Sequence, residues 1–125
     1  MDALEKLVQL EKEADAFGFS WENSDQIFDQ LFSEVDEIKE HLGANEIKNK
    51  MGLQEEIGDL FHAVTSLCLF FQFNPEDTIK KSVEKFKFRL EKLKKVTRES
   101  GLENLKELSF DAMMHYWDLA KSSVE

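Results

Sequence analysis

One proline, Pro75, and five glycines are the only strong helix breakers in 125 residues. Proline removes a backbone donor and glycine carries an entropic cost in a helix, so this scarcity suits long helices better than a turn-rich β fold. Apolar side chains recur at helical spacing. Leu4, Leu7, Val8, Leu10, Ala14 and Phe17 predict a first helix from Asp2 to Phe17, with Gly18 as its stop. Ile27, Phe28, Leu31, Val35, Ile38 and Leu42 predict a second, capped by Ser24 or Asp25 and stopped at Gly43.

After an ambiguous polar stretch at 44–50, a third helix is expected from Lys50 to Phe73. Its apolar stripe is Leu53, Ile57, Leu60, Phe61, Val64, Leu67, Cys68 and Phe71. Asn74-Pro75-Glu76-Asp77 reads as a stop and a restart, since proline fits a first helical position and acids favour a helix start. The fourth helix, Pro75 to Arg98, should bury Ile79, Val83, Phe86, Leu90 and Leu93. A last one, Ser109 to Ser123, should pack Ala112, Met113, Tyr116, Leu119 and Ala120. The expected class is all-α: a helical bundle of four long helices and a shorter connecting or C-terminal one, forming one domain over residues 1–125.

The net charge of -10 is unevenly spread. Residues 1–60 carry 16 acidic and 5 basic side chains, whereas residues 80–98 carry 9 basic and 2 acidic ones. So negative a chain is a poor general nucleic-acid binder, which needs a broad basic surface. The longest apolar run, Leu67 to Phe71, is too short for a membrane span, and the amino terminus lacks a secretory layout. A cytoplasmic location is the expectation. Cys68 is the lone cysteine and reads as a buried thiol.

Two carboxylate pairs stand apart from ordinary surface charge. Glu34 and Glu37 are three residues apart on the second helix, and Glu56 and Asp59 are three apart on the third. Glu56 lies in the line Leu53, Glu56, Leu60, Ala63, Leu67, where an unpaired ion would carry a large desolvation penalty. A hard cation shared by the four acids would account for them together; surface charge or salt bridges are the plain alternative. Oxygen-only ligation selects magnesium, with manganese as a substitute, over zinc.

Lys85 and Arg89, with Lys81, form a cationic ridge that could hold phosphate or remain solvated. Trp21 lies in a connection, as a nucleobase platform or a packing cap. Of the histidines, His62 adjoins the acidic motif in a packed segment and suits a supporting or core role rather than ligation. No glycine-rich phosphate loop or recognisable nucleophilic triad is present.

These motifs resemble those of the MazG-like nucleoside triphosphate pyrophosphohydrolases, all-α enzymes with an E-x-x-E pair on one helix and E-x-x-D on the next. Here they are Glu34-Val35-Asp36-Glu37 and Glu56-Ile57-Gly58-Asp59, the latter within EEIGDLFHAV, residues 55–64. Lys85-Phe86-Lys87-Phe88-Arg89 is similar to the family's K-F-x-x-R element, and Gly18-Phe19-Ser20-Trp21 and the carboxyl-terminal helix extend the likeness. Val83 stands where members often carry an asparagine, so a contact from that position is not carried over.

The resemblance implies magnesium-dependent hydrolysis of a nucleoside triphosphate to monophosphate and pyrophosphate, by water attack at the α-phosphorus. It assigns Glu34, Glu37, Glu56 and Asp59 to metal and catalysis, and Lys85, Arg89 and Trp21 to substrate. A homodimer, or a tetramer built from two, is expected as well. The rival readings are a dUTP/dCTP-type or phosphoribosyl-ATP pyrophosphatase of the same fold, and a non-catalytic helical interaction module.

Overall fold

A computed structural model describes residues 1–43 and 46–122. Its class is all-α, with α1 at Ala3–Phe17, α2 at Ser24–Glu40, α3 at Lys50–Phe70, α4 at Pro75–Glu99 and α5 at Phe110–Ser122. The shorter fifth helix is the carboxyl-terminal one. A two-residue antiparallel pairing, β1 at Leu42–Gly43 with β2 at Glu46–Ile47, links α2 to α3. No helix among the described residues is long and apolar enough to cross a membrane.

Each start is set by a side chain that satisfies a free amide of the first turn. Asp2 accepts from the Glu5 N–H at 2.8 Å, and Asn49 from that of Gly52 at 3.0 Å. Asn74 accepts from the Asp77 N–H at 3.0 Å, with Pro75 at the first helical position. Ser109 Oγ accepts from the Ala112 N–H at 3.2 Å. At α2 the cap is Asn23, accepting from Gln26 at 3.0 Å, and not Ser24 or Asp25 as expected. Asn23 is the residue with extended backbone, which is what a cap requires.

Two helix ends also differ from expectation. Gly43 is not the stop of α2: the helix closes at Glu40, and Gly43 instead pairs with Glu46 as Leu42 does with Ile47. Lys48 N–H, donating to the His41 carbonyl at 2.8 Å, completes that turn. Helix α3 ends at Phe70 rather than Phe73, because Gln72 turns left-handed at φ 64° and the Phe73 N–H closes onto the Cys68 carbonyl at 2.9 Å. Gly18, at φ 103°, ends α1 as its lack of a Cβ allows. Ser123, the expected last residue of the final helix, lies outside the described residues.

The chain groups into two compact units, residues 1–78 and 79–125. In the first, α2 packs along α3, and α1 meets α3. Ile27, 0% exposed, anchors the core, with Ala63 buried on α3. The expected line through Glu56 holds: Leu53, Glu56, Leu60 and Leu67 are half-buried around Ala63. The parallel line Ile57, Phe61, Val64 and Phe71 is exposed instead, Phe61 to 72%. One flank of α3 is used by its neighbours in this unit and the other is not. Cys68 is half-buried.

In the second unit, Thr97 on α4 and Ala120 on α5 are buried, and Phe86 meets Trp117 edge-on at 6.2 Å between ring centres. Leu90 and Leu93 are half-buried as expected, whereas Ile79, Val83 and Phe86 stay exposed, Phe86 to 57%. On α5, Ala112, Met113 and Tyr116 are half-buried and Leu119 is exposed. The short fifth helix offers α4 too little area to cover its whole apolar stripe.

Candidate metal centre

Glu34 lies two turns beyond Ile27 on α2, and so shares the face that packs on α3. Its burial brings a carboxylate oxygen to the Glu56–Asp59 turn of α3. One oxygen from each of Glu34, Glu56 and Asp59 lies within 4.8 Å of the others. Glu34 is buried, Glu56 half-buried and Asp59 exposed, so the cluster opens from the α2–α3 seam toward solvent.

Most of the negative charge here is not neutralised by protein. Glu34 Oε1 accepts from the Gln30 amide at 2.5 Å, but among the described residues the buried Glu34 Oε2 and Glu56 Oε2 find no hydrogen-bond partner. His41 Nε2 stands 3.9 Å from Glu56 Oε1, near enough to steady it but beyond hydrogen-bond reach. That ring is admitted by Gly52, where a Cβ would come within 2.6 Å of His41 Cε1.

Glu37 acts on Glu56 from outside that three-residue group. Hydrogen bonding with Glu37 is the largest of the causes that raise the Glu56 pKa from 4.5 to about 7. Desolvation, a hydrogen bond with Glu34 and repulsion from both glutamates act in the same direction. Without a cation, then, the crowding of these carboxylates favours the protonated form of Glu56.

Orphaned carboxylate oxygens, clustered on two helices with no nitrogen or sulfur donor among them, fit a hard divalent cation. Two oxygens bound to one magnesium ion lie roughly 3–4 Å apart, a spacing that small side-chain rotations would reach from here. The triad could coordinate such a cation, as the carboxylate spacing suggests, with Glu37 at its edge.

The substrate-binding candidates read from sequence are carried by other parts of the chain. Lys85 and Arg89 are a turn apart on α4 in the second unit; Lys85 is exposed, while Arg89 is half-buried with an Nε that finds no hydrogen-bond partner among the described residues. Trp21 lines a cavity of about 690 Å³ between α1 and α3, within the first unit. His62 is not a core residue: it is exposed and donates to Glu11 Oε1.

Glu11 was not singled out by sequence, although a signal was there. It interrupts the apolar line Leu7–Ala14 of α1 much as Glu56 interrupts that of α3. Ser66 Oγ donates to the same Glu11 oxygen at 2.7 Å, so α3 holds this carboxylate from two positions.

An all-α fold with a carboxylate triad on two packed helices, able to coordinate a divalent cation, is consistent with the class of α-helical nucleotide pyrophosphohydrolases. Residues 22–94 match the family described as the MazG nucleotide pyrophosphohydrolase domain, and this chain belongs to that family. Over 123 residues it is 29% identical to the nucleoside triphosphate pyrophosphohydrolase/pyrophosphatase MazG of Thermotoga maritima, covering 98% of this chain and 46% of that protein. Over 121 residues it is 25% identical to the nucleoside triphosphate pyrophosphohydrolase of Escherichia coli K12, covering 97% and 45% respectively. The chain therefore spans just under half the length of these relatives. Family membership supports hydrolase chemistry on a nucleotide-type substrate.

Proposed function

We propose that the protein hydrolyses nucleoside triphosphates to the monophosphate and pyrophosphate, using magnesium held by Glu34, Glu37, Glu56 and Asp59. The observation that carries this reading is the pair of buried, donorless oxygens on Glu34 and Glu56 within the family-matched segment. Magnesium held there would supply charge neutralisation at the phosphates and a lowered pKa for the attacking water. The carboxylates would orient the attacking water and one of the glutamates would take its proton as the water oxygen bonds to the α-phosphorus; the bond from this phosphorus to the bridging oxygen breaks, and pyrophosphate leaves. Lys85 and Arg89 bind the β- and γ-phosphates electrostatically. The catalytic unit is a single domain over residues 1–125, a reading supported by the family match running from 22 to 94 without a break.

The test is product analysis with a panel of canonical and deoxy triphosphates at graded magnesium. Pyrophosphate and monophosphate should appear in equal amounts, with no orthophosphate, and neutralising Lys85 or Arg89 should raise KM about tenfold or more. Orthophosphate release, or no turnover of any triphosphate, would sink the proposal; the latter would favour an interaction module.

A homodimer is part of this proposal. The exposed line Ile57, Phe61, Val64 and Phe71 recurs at helical spacing along α3, an apolar face suited to a symmetric copy. Sedimentation velocity should read twice the 14.6 kDa chain mass at micromolar concentration, or four times it if two dimers pair. A monomer would refute it.

A further inference from the structure

Glu11, His62 and Ser66 form a second polar constellation, next along α3 from the carboxylate triad and joined to a cavity. The cavity of about 690 Å³ lies within the range of small-molecule sites, and its apolar walls include Trp21, Phe19, Leu69 and Phe70. Apolar and aromatic walls with a few convergent polar groups suit a flat heteroaromatic ring better than a phosphate. Two carboxylates in the lining, Glu11 and Asp15, outnumber its one cation, Lys12, which disfavours phosphate. Trp21, 37% exposed, offers part of its indole for stacking.

The polar group is built in rather than incidental. His62 and Ser66 both donate to Glu11 Oε1, fixing the carboxylate from the opposite wall and leaving Oε2 to accept from a ligand. An ionised carboxylate accepts hydrogen bonds and cannot donate them. It therefore suits a ring edge that presents an amino group. Uracil and thymine present one imino N–H between two carbonyl oxygens, and those oxygens would face a negative charge.

Position ties this cavity to the triad. Asp59, His62 and Ser66 follow one another at three- and four-residue steps, so they share a face of α3. At 1.5 Å of rise per residue, His62 lies about 4.5 Å and Ser66 about 10 Å along the axis from Asp59. That is the stretch a nucleoside covers when its α-phosphate is held at the carboxylates.

We propose that Glu11, aimed by His62 and Ser66, is the base-selecting residue of this site and favours the amino-bearing bases adenine, cytosine and guanine over uracil and thymine. The inference deepens the proposed hydrolysis and rests on it for the identity of the ligand as a nucleotide. Its test omits both metal and phosphates, so that the two can fail separately.

Adenosine, cytidine, guanosine, uridine and thymidine are titrated calorimetrically into the full chain in magnesium-free buffer. The parent should bind the amino-bearing nucleosides about tenfold or more tightly than uridine and thymidine. Glu11→Gln, nearly identical in shape, should lose that preference, because the amide offers a donor as well as an acceptor. Ser66→Ala, which keeps the carboxylate but removes one of its two anchors, should reduce the preference and guards against misfolding of the first variant. Circular dichroism checks that both remain helical.

With triphosphates and magnesium, the same ranking should appear in KM more than in kcat. Equal affinities for all five nucleosides, no binding of any, or a preference unchanged in both variants would overturn the proposal. Nucleoside selection by a chain that releases no pyrophosphate would leave it standing and remove the hydrolytic reading instead.

Discussion

Glu56→Gln and Asp59→Asn should each lower pyrophosphate release by at least about a hundredfold, because loss of a mere supporting partner of a metal ligand already costs 10–100-fold. Each change removes a negative charge from the triad while nearly preserving shape. Magnesium dependence should shift to higher concentration while helical content stays at the parent level. Glu55→Gln is the control, since Glu55 is exposed, one position from Glu56, and outside the cluster. The measurement is pyrophosphate release against magnesium concentration for the parent and the three variants. Near-parent rates in both the Glu56 and Asp59 variants would remove these residues from the metal site.

The same substitution should alter the pH dependence of stability in metal-free protein. The folded chain holds the Glu56 proton up to about pH 7, whereas the unfolded chain releases it near 4.5. Between those values the folded state binds more protons, so stability falls as pH rises. The contribution is fully present below 4.5 and is lost through about 7. Glu56→Gln cannot lose that proton, so its thermal midpoint should fall less than the parent's between pH 5 and 8, roughly the window those two values bracket. Magnesium should flatten the parent's profile by taking the proton's place. A parent profile in excess EDTA that matches that of the variant would contradict this account.

Ile27→Ala is the second large effect, and it falls on stability rather than chemistry. Ile27 is 0% exposed, on the face of α2 that carries Glu34 two turns later. Removing a buried isoleucine's outer carbons costs about 2–5 kcal/mol, through lost transfer energy and the cavity left behind. For a chain of this length that lowers the melting temperature by roughly 10–20 °C. Magnesium with a non-hydrolysable triphosphate should restore part of the loss, because a ligand that binds only the folded state stabilises it. Calorimetry with and without ligand makes the check, and a melting temperature within a few degrees of the parent's would show that Ile27 anchors little.

Helix positions were legible because their causes are local. Asp2, Asn74 and Ser109 cap where a short polar side chain can meet an amide three residues on, and Gly18 ends α1 because it turns left-handed without strain. Where two short polar residues adjoined, as at Asn23 and Ser24, residue type could not choose the cap; the backbone conformation did. The early end of α3 at Gln72 carried no glycine to announce it.

Within the site, the anomaly of Glu56 is readable from one helix alone, since a carboxylate in an apolar line asks for a partner. Which partner it receives is a property of packing. The seam between α2 and α3 brings Glu34 to Glu56 and Asp59, from more than twenty positions away. Glu11 shows the same limit more strongly: its donors, His62 and Ser66, are 51 and 55 residues distant. Periodicity reports which face of a helix is apolar but not what covers it, so Phe61 and Ile57 read as core and are exposed. The sequence by itself determined the helices and the residue types able to hold a cation. Only the tertiary structure decided which carboxylates meet, which are left without donors and which apolar faces stay open, because those depend on the docking of helices whose contacts are far apart along the chain.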